Sequence, residues 1–501
     1  MKALLDTNII IHREANKVVS QDIGILYRWL DRGKYTKCVH SVTIEEIKKN
    51  PNQETVSAFM TKLQSYEIID IPSPLQHEVL QVSERMDAND NDRNDTILLN
   101  EVYVGRVDIL ITEDKKIHKK AEVLNIADKV YTIDSFLEKV FAEHPDLVDY
   151  KVLNVQKLKF GKINLDDPFF DSLKEDYPGF DKWFIKKYDD EAYITINSNN
   201  GMLLSFLYLK VEGTEEDYSN VAPVLPPKKR LKIGTFKVIN NGFRLGERFL
   251  KIIFDNALKK HVEEIYVTIF DKRDEQRRLI ALLEQWGFVY WGMKGGEMVY
   301  VRDFHPNTDI RSNLRFTYPF VEASRNAYLV PIYPDYHTEL LPDSILNTES
   351  PEEFVEDFPH RNGIGKVYVS RAFEPHPNKG DLLIFYRTGG YYKSVVTTIG
   401  IVEELKKDFA TEDEFIKYCR KGSVFPEKEL QEMWRYRSDK PFVVKFLYLY
   451  SFPHRINMKE LIDLGVLLGV NDAPRGFKPI TTEQFKTIIK ETKSDDSFII
   501  Y

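Results

Sequence analysis

Residues 2–8 read Lys2-Ala3-Leu4-Leu5-Asp6-Thr7-Asn8, and residues 107–114 read Val107-Asp108-Ile109-Leu110-Ile111-Thr112-Glu113-Asp114. Each holds a short apolar run that stops at a carboxylate, the pattern of a strand buried on both faces and ending in a polar turn. Helical patterns at Val42–Lys49 and Thr96–Tyr103 alternate with such runs, so the first stretch is predicted to be α/β: a parallel sheet wrapped by helices. In an open parallel sheet, residues just past the strands stand at the carboxyl edge, where ligands bind. Asp6 follows the strand Lys2–Leu5 and Asp114 follows the strand Val107–Thr112, so both are placed on one rim. Glu46 falls in a helix capped by Ser41 or Thr43. Asp95 opens the helix Thr96–Tyr103 after the polar segment Asp87–Asn94, so both can lean toward that rim.

Four carboxylates crowded together repel one another, and a hard cation such as Mg²⁺ or Mn²⁺ relieves the repulsion. A bound ion of that kind lowers the pKa of its water and neutralises charge developing on a phosphodiester transition state. A lone Asp after a strand is ordinarily a turn or cap residue. Glu45, Asp90, Asp92 and Glu113 read as solvated surface groups, with Asp92 the open alternative to Asp95.

The 501-residue chain is too long for one ordinary core and suggests about three domains. Its composition, 43% hydrophobic and 30% charged, is that of an ordinary soluble protein. Cys38 and Cys419 are the only cysteines, which excludes a disulfide framework and a cysteine zinc site and suits a reducing cytoplasm. The start, MKALLDTNIIIHRE, lacks the small-residue cleavage site of a leader, and no apolar run is long enough to span a bilayer. The net charge of −8 argues against a basic shell, so a nucleic-acid surface must be local. His12, His40, His118 and His261 show no metal-ligand spacing and are read as surface or cap residues.

The order and spacing of Leu4-Leu5-Asp6-Thr7-Asn8, of Ser41 followed by Glu46-Ile47, of Asn94-Asp95-Thr96-Ile97-Leu98 and of Leu110-Ile111-Thr112-Glu113-Asp114 resemble the PIN nuclease pattern. The resemblance covers residues 1–145. It implies a PIN-like parallel α/β/α fold and a metal-dependent endoribonuclease acting on RNA, usually single-stranded. Asp6, Glu46, Asp95 and Asp114 would be the catalytic metal ligands, with Mg²⁺ or Mn²⁺ as cofactor. Asn8 and Thr112 would be auxiliary groups that orient the ligand oxygens.

A boundary is placed near His144-Pro145, after which new strands begin: Ala192–Asn197, Met202–Val211 and Leu231–Ile239, then a helix from Arg244 to about Lys260, a strand Ile265–Phe270 and a helix Asp274–Gln285. Residues 150–304 are similar to the GNAT acetyltransferases. The resemblance implies an acetyl-CoA site on Asn241, Gly242, Arg244, Leu245 and Gly246, where backbone N–H groups at a helix start meet the pyrophosphate. Arg244 replaces the family's first glycine, Leu283 its thiol-protonating tyrosine, and Gln276 and Leu279 its usual Asn and Ala. Glu191 and Tyr290 stand as alternatives for a base, each beside a structural reading.

After the polar turn Asp303–Asn313, β-rich runs dominate: Lys366–Ser370, Leu382–Arg387, Ser394–Val402 and Phe442–Tyr450. Lys379-Gly380-Asp381-Leu382 and Thr397-Thr398-Ile399-Gly400 make residues 312–501 resemble the mostly-β PUA-like barrels, which include ASCH domains. That resemblance implies RNA binding. Arg361 to Arg455 holds 17 Lys/Arg against 12 Asp/Glu. Arg387, Lys393, Trp434 and Arg435 combine charge with rings able to stack on bases, beside the alternative that the rings are core. The basic run Lys228-Lys229-Arg230 is read as a solvated loop.

The combined reading is a cytoplasmic endoribonuclease recruited to RNA by its last domain. Two alternatives remain open: an N-acetyltransferase acting on a protein or ribosome-associated acceptor, and a non-catalytic RNA-binding scaffold or toxin-like stress effector. No membrane partner is expected. PIN relatives are often dimers, so an oligomer is also open, although no sequence feature marks an interface.

Overall fold

The computed structural model describes residues 1–14, 21–49, 56, 59–60, 63, 65–133, 135–137, 140, 155–197, 200–239, 244–305, 313–344, 359–371, 377–391, 393–420, 422–436 and 440–500. The chain forms two compact units. Residues 1–147 with 240–242 make the first, and 148–239 with 243–501 make the second.

The first unit is built on five strands: β1 Lys2–Leu5, β2 Thr36–His40, β3 Glu67–Ile69, β4 Ile109–Ile111 and β5 Val130–Tyr131. They lie in the order β3-β2-β1-β4-β5 and every neighbouring pair is parallel. Parallel strands need crossovers. These run through α1 Thr7–Glu14, α2 Gln21–Arg32, α3 Ser41–Lys48, α4 His77–Met86, α5 Asp90–Tyr103 and α6 Lys115–Val123. The core explains the runs seen in the sequence: Leu4, Cys38, Ile69, Leu110 and Val130, one from each strand, pack on Val79, Leu98, Leu99, Val102 and Ile117 from α4, α5 and α6. Strand order reverses between β1 and β4, and the residues leaving those two strands flank the crevice that such a reversal opens.

Two local expectations are corrected. α5 begins at Asp90, so Asp95 lies in its second turn and does not open it. The Asn89 side chain accepts from the Asp92 N–H at 2.9 Å, while Asp90 and Asp92 face the positive end of the helix. α3 is capped by the ring of His40, whose Nδ1 accepts from the Val42 N–H at 3.1 Å, and not by Ser41 or Thr43. His40 is accordingly a cap, but a fully buried one.

The second unit holds two sheets. One runs β11-β12-β10-β9-β8-β7-β6, with β6 Gln156–Lys159, β7 Glu191–Ile196, β8 Leu203–Glu212, β9 Arg230–Val238, β10 Glu264–Ile269, β11 Val289–Lys294 and β12 Glu297–Asp303. All its pairings are antiparallel except β9 with β10, which are joined through α7 Leu245–Lys259. Their pairing ends at Ile233 and Val267, although β9 runs on to Val238 and β10 to Ile269, so the strand ends part. α8 Asp274–Gln285 follows β10.

The other large sheet runs β15-β18-β17-β16-β14-β19. Its strands are β14 Ala327–Ile332, β15 Gly365–Ser370, β16 Leu382–Arg387, β17 Val395–Lys406, β18 Phe442–Ser451 and β19 Lys478–Ile480, and β14 with β16 is its parallel pair. A short pair joins β13 Val321–Glu322 to β20 Ile499–Ile500. One hydrophobic cluster runs from Leu207, Phe254 and Trp286 of the first sheet and its helices to Leu382, Ile399 and Phe485 around the second. Among the described residues, no helix is long and apolar enough to cross a membrane.

Candidate functional site

At the crevice between β1 and β4, Asp6 is 4% exposed and its Oδ2 accepts from the Thr112 hydroxyl at 2.8 Å. The same Thr112 oxygen accepts from the Asp114 N–H at 3.0 Å, so one buried threonine joins the residues that leave the two central strands. Asp114 caps α6, its Oδ1 accepting from Lys116 N at 2.6 Å and Ile117 N at 3.3 Å. Glu46 is held from both sides. The Thr7 hydroxyl donates to Oε2 at 2.6 Å and the Asn94 amide donates to Oε1 at 2.8 Å.

These four carboxylates feel one another. Burial, with the charges of Asp114 and Glu46, pushes Asp6 up to about 6 against the opposing bond from Thr112. Burial, then the charges of Asp6, Asp114 and Glu46, pushes Asp95 up to about 7, with Lys120 opposing. Two acids that resist ionisation beside two others form an all-oxygen set whose repulsion a hard divalent cation would relieve, and that donor chemistry fits Mg²⁺ or Mn²⁺. Among the described residues, no group of three or more His, Cys, Asp or Glu side chains is arranged as a ready metal cage. Glu46 turns one oxygen to Thr7 and the other to Asn94, so each keeps a second lone pair to ligate, while Asp114 spends Oδ1 on its own helix and would ligate through Oδ2.

Asp92 is otherwise engaged. It is 4% exposed, and accepts from Lys116 Nζ at 2.7 Å and from Ala88 N at 2.9 Å. Lys120, fully buried, pairs with Asp87 at 2.6 Å and donates to the Asp92 carbonyl at 2.7 Å. These bonds anchor the start of α5 and leave Asp95, one turn on, facing the other acids. Asn8 is exposed on the first turn of α1. Thr7 and Asn94 were missed by sequence reading as partners of Glu46. Both stand beside assigned acids, Thr7 after Asp6 and Asn94 before Asp95, and that adjacency was the available signal.

Of the residues suggested for acetyl-CoA, Asn241 and Gly242 lie outside the described residues. Arg244 takes the left-handed conformation at φ +53° and donates to both carboxylate oxygens of Glu247, the closer at 2.6 Å, and to the Gly365 carbonyl at 2.8 Å. Glu247 in turn accepts from the Ile364 N–H at 2.9 Å. A Cβ at Gly246 would stand 2.6 Å from Leu282 Cδ2, so glycine there serves the packing of α7 on α8. Leu245 and Leu283 are core.

Of the suggested RNA contacts, Lys393 is exposed and Arg387 is half-buried at the end of β16. Arg435 is paired with Glu412 at 2.6 Å. Trp434 stacks on Phe415 at 5.5 Å and also faces Lys440 Nζ at 4.5 Å, so its ring belongs to the core and is not presented to a base.

No protein-family model matches the chain, and no curated protein matches it. Solved structures do, each over about a third of its length. The ASCH protein of Zymomonas mobilis matches with 12% identity over 33% of this chain and 94% of that one, at a TM-score of 0.24. A GNAT-family acetyltransferase from Listeria monocytogenes matches with 15% identity over 31% and 98%, at 0.21. Human THYN1, in complex with DNA containing 5-methylcytosine, matches with 12% identity over 34% and 99%, at 0.20. At these scores the likeness is one of partial shape.

Proposed function

We propose that the first unit is a PIN-type, metal-dependent endoribonuclease in which Asp6, Glu46, Asp95 and Asp114 hold Mg²⁺ or Mn²⁺. The observation that carries this reading is the pair of carboxyls, Asp6 and Asp95, raised to about 6 and about 7 at the reversal of strand order. Such acids are costly without a cation and well placed to bind one. When bound, the ion activates water and neutralises the phosphodiester's developing charge. Thr112 fixes Asp6 toward Asp114, and Thr7 with Asn94 fixes Glu46. In this reading the PUA-like residues 312–501 recruit the RNA, and the GNAT-like residues 150–304 stand between them and the nuclease in the sequence.

Labelled single-stranded RNA incubated with Mn²⁺ or Mg²⁺ tests the proposal. The parent cuts, and Asp6→Asn and Asp95→Asn do not; equal cutting by either variant defeats the assignment. Calorimetry with acetyl-CoA separates the acyltransferase alternative, which falls if no binding is measured. Affinity for RNA without divalent-metal binding or cutting would favour the scaffold.

Thr7→Val removes one of the two bonds that hold Glu46. It is expected to lower cleavage roughly 10- to 100-fold, with a raised Mn²⁺ requirement, as for other groups that orient metal ligands. Full activity with an unchanged metal titration would show that Thr7 does not position Glu46.

A further inference from the structure

In the second unit a small open cleft lies between α7, the turn Pro342–Ser344, the segment from Arg361 into β15, and β18. Its charged walls are Arg248 and Lys251, one turn apart on α7, with Arg361, Lys366 and Asp343; Tyr448 completes them. Arg361 and Lys366 are each only 3% exposed. Four cations therefore share the cleft with one lining carboxylate. Three of those cations already have acidic neighbours, Arg248 in Asp343 at 2.5 Å, Lys251 in Asp255 and Arg361 in Glu339 at 3.9 Å, while Glu247 is held by Arg244 at 2.6 Å.

Burial would raise Asp343, but Arg248, Lys251 and Lys366 hold it down to about 2, so it stays ionised. Burial, then the cations Arg244 and Arg248, push the Lys366 ammonium down to about 7 against Asp343 and Glu247. Another anion in the cleft would restore the charge on that amine. The Tyr448 phenol is fixed by a chain of hydroxyls. It bonds Ser451 at 2.7 Å, Ser451 bonds Ser344, Ser344 bonds Thr398 at 2.6 Å, and Thr398 reaches Thr397, which bonds the His337 ring at 2.9 Å. A rigid wall carrying several cationic donors suits a compact oxyanion of more than one charge.

We propose that this cleft binds a phosphomonoester group, held by Arg248, Lys251, Arg361 and Lys366. The site is separate from the nuclease reading, because its walls all belong to the second unit. The phosphate could come from a free mononucleotide or from the 5′ end of an RNA.

Isothermal titration of the full chain tests this with inorganic phosphate, AMP, adenosine, and a short RNA carrying either a 5′-phosphate or a 5′-hydroxyl. Phosphate and AMP should bind and adenosine should not. Binding of the 5′-phosphorylated RNA alone would support the site and name the RNA end as its source. Lys366→Gln, and independently Lys251→Gln, should weaken binding roughly 10- to 100-fold. Above pH 7 the parent should take up a proton on binding, seen as heat that varies with the buffer, and Lys366→Gln should lose that uptake. Affinity should be greatest between about pH 6, where the phosphomonoester gains its second charge, and about pH 7, above which free Lys366 is neutral. No binding of any phosphorylated probe overturns the proposal, as does unchanged affinity in both variants. Asp6→Asn should bind all probes as the parent does, so failure here and failure of the nuclease reading are distinguishable.

Discussion

Asp6→Asn should abolish metal-dependent RNA cleavage, a loss of roughly a thousandfold or more, by the scale of removing one preorganised electrostatic group, while making the metal-free protein more stable. The two effects share one cause. Asp6 is buried and pushed up to about 6 in the folded chain, against 3.8 for its ordinary value. The folded state therefore holds this proton more tightly than the unfolded state does. The contribution is intact below about pH 4, is lost as pH rises from about 4 to about 6, and stays lost above that. At pH 8 the ionised carboxylate costs up to about 3 kcal/mol, a cost that the neutral amide does not carry. Asn keeps an oxygen to accept from Thr112, so the existing bond of 2.8 Å has a replacement. Chemical denaturation from pH 4 to pH 8 should show the variant's advantage growing between pH 4 and 6.

Added Mn²⁺ should then stabilise the parent and hardly affect the variant, because an ion that binds only the folded state adds stability as RT ln(1 + [L]/Kd). In the parent, the Mn²⁺ concentration needed for half-maximal cutting should rise as pH falls through about 7 and then about 6, as Asp95 and then Asp6 take up protons. A metal requirement flat across that range, or a metal-free variant less stable than the parent at pH 8, would remove the carboxylate cluster as the explanation.

Much of the first unit was legible because its chemistry is adjacent to its strands. An apolar run that ends on Asp names both a strand and the rim where its carboxylate stands, and β1 and β4 lie where Leu4-Leu5-Asp6 and Leu110-Ile111 placed them. Helix starts were less legible because capping depends on which side chain the tertiary fold supplies. His40 displaced the ordinary cap residues Ser41 and Thr43, and Asn89 moved the start of α5 ahead of Asp95. Asp92 is bound by Lys116 and Lys120, which lie 24 and 28 residues from it. Nothing local to Asp92 announces those partners. In the second unit, the aromatic and basic mixture around Trp434 has the composition of an RNA surface and the packing of a core. Only the neighbours of a ring decide between the two, and here they are Phe415 and Lys440.

Trp286→Ala should cost about 3–5 kcal/mol, the usual range for emptying a large buried aromatic site, and should lower one transition that includes both sheets of the second unit. Trp286 is fully buried, with Phe254 at 6.0 Å and Tyr318 edge-on at 5.3 Å. Arg302 lies over Phe254 at 4.1 Å and donates to the carbonyls of Phe316 and Tyr318, while burial pushes its guanidinium down to about 9. Tyr318 then donates to the Tyr448 carbonyl on β18 at 2.8 Å. The polar turn Asp303–Asn313 suggests a hinge between separate domains, but the residues on either side of it are packed into the same cluster. Calorimetry of the full chain should therefore show the second unit's transition moving as a whole in Trp286→Ala, while the Mn²⁺-responsive transition of the first unit stays in place. Trp434→Ala is the contrast, since its ring belongs to a separate small cluster with Phe415, Cys419 and Leu430. Splitting of the second transition in Trp286→Ala, with one part unshifted, would show that the two sheets fold independently despite the cluster they share.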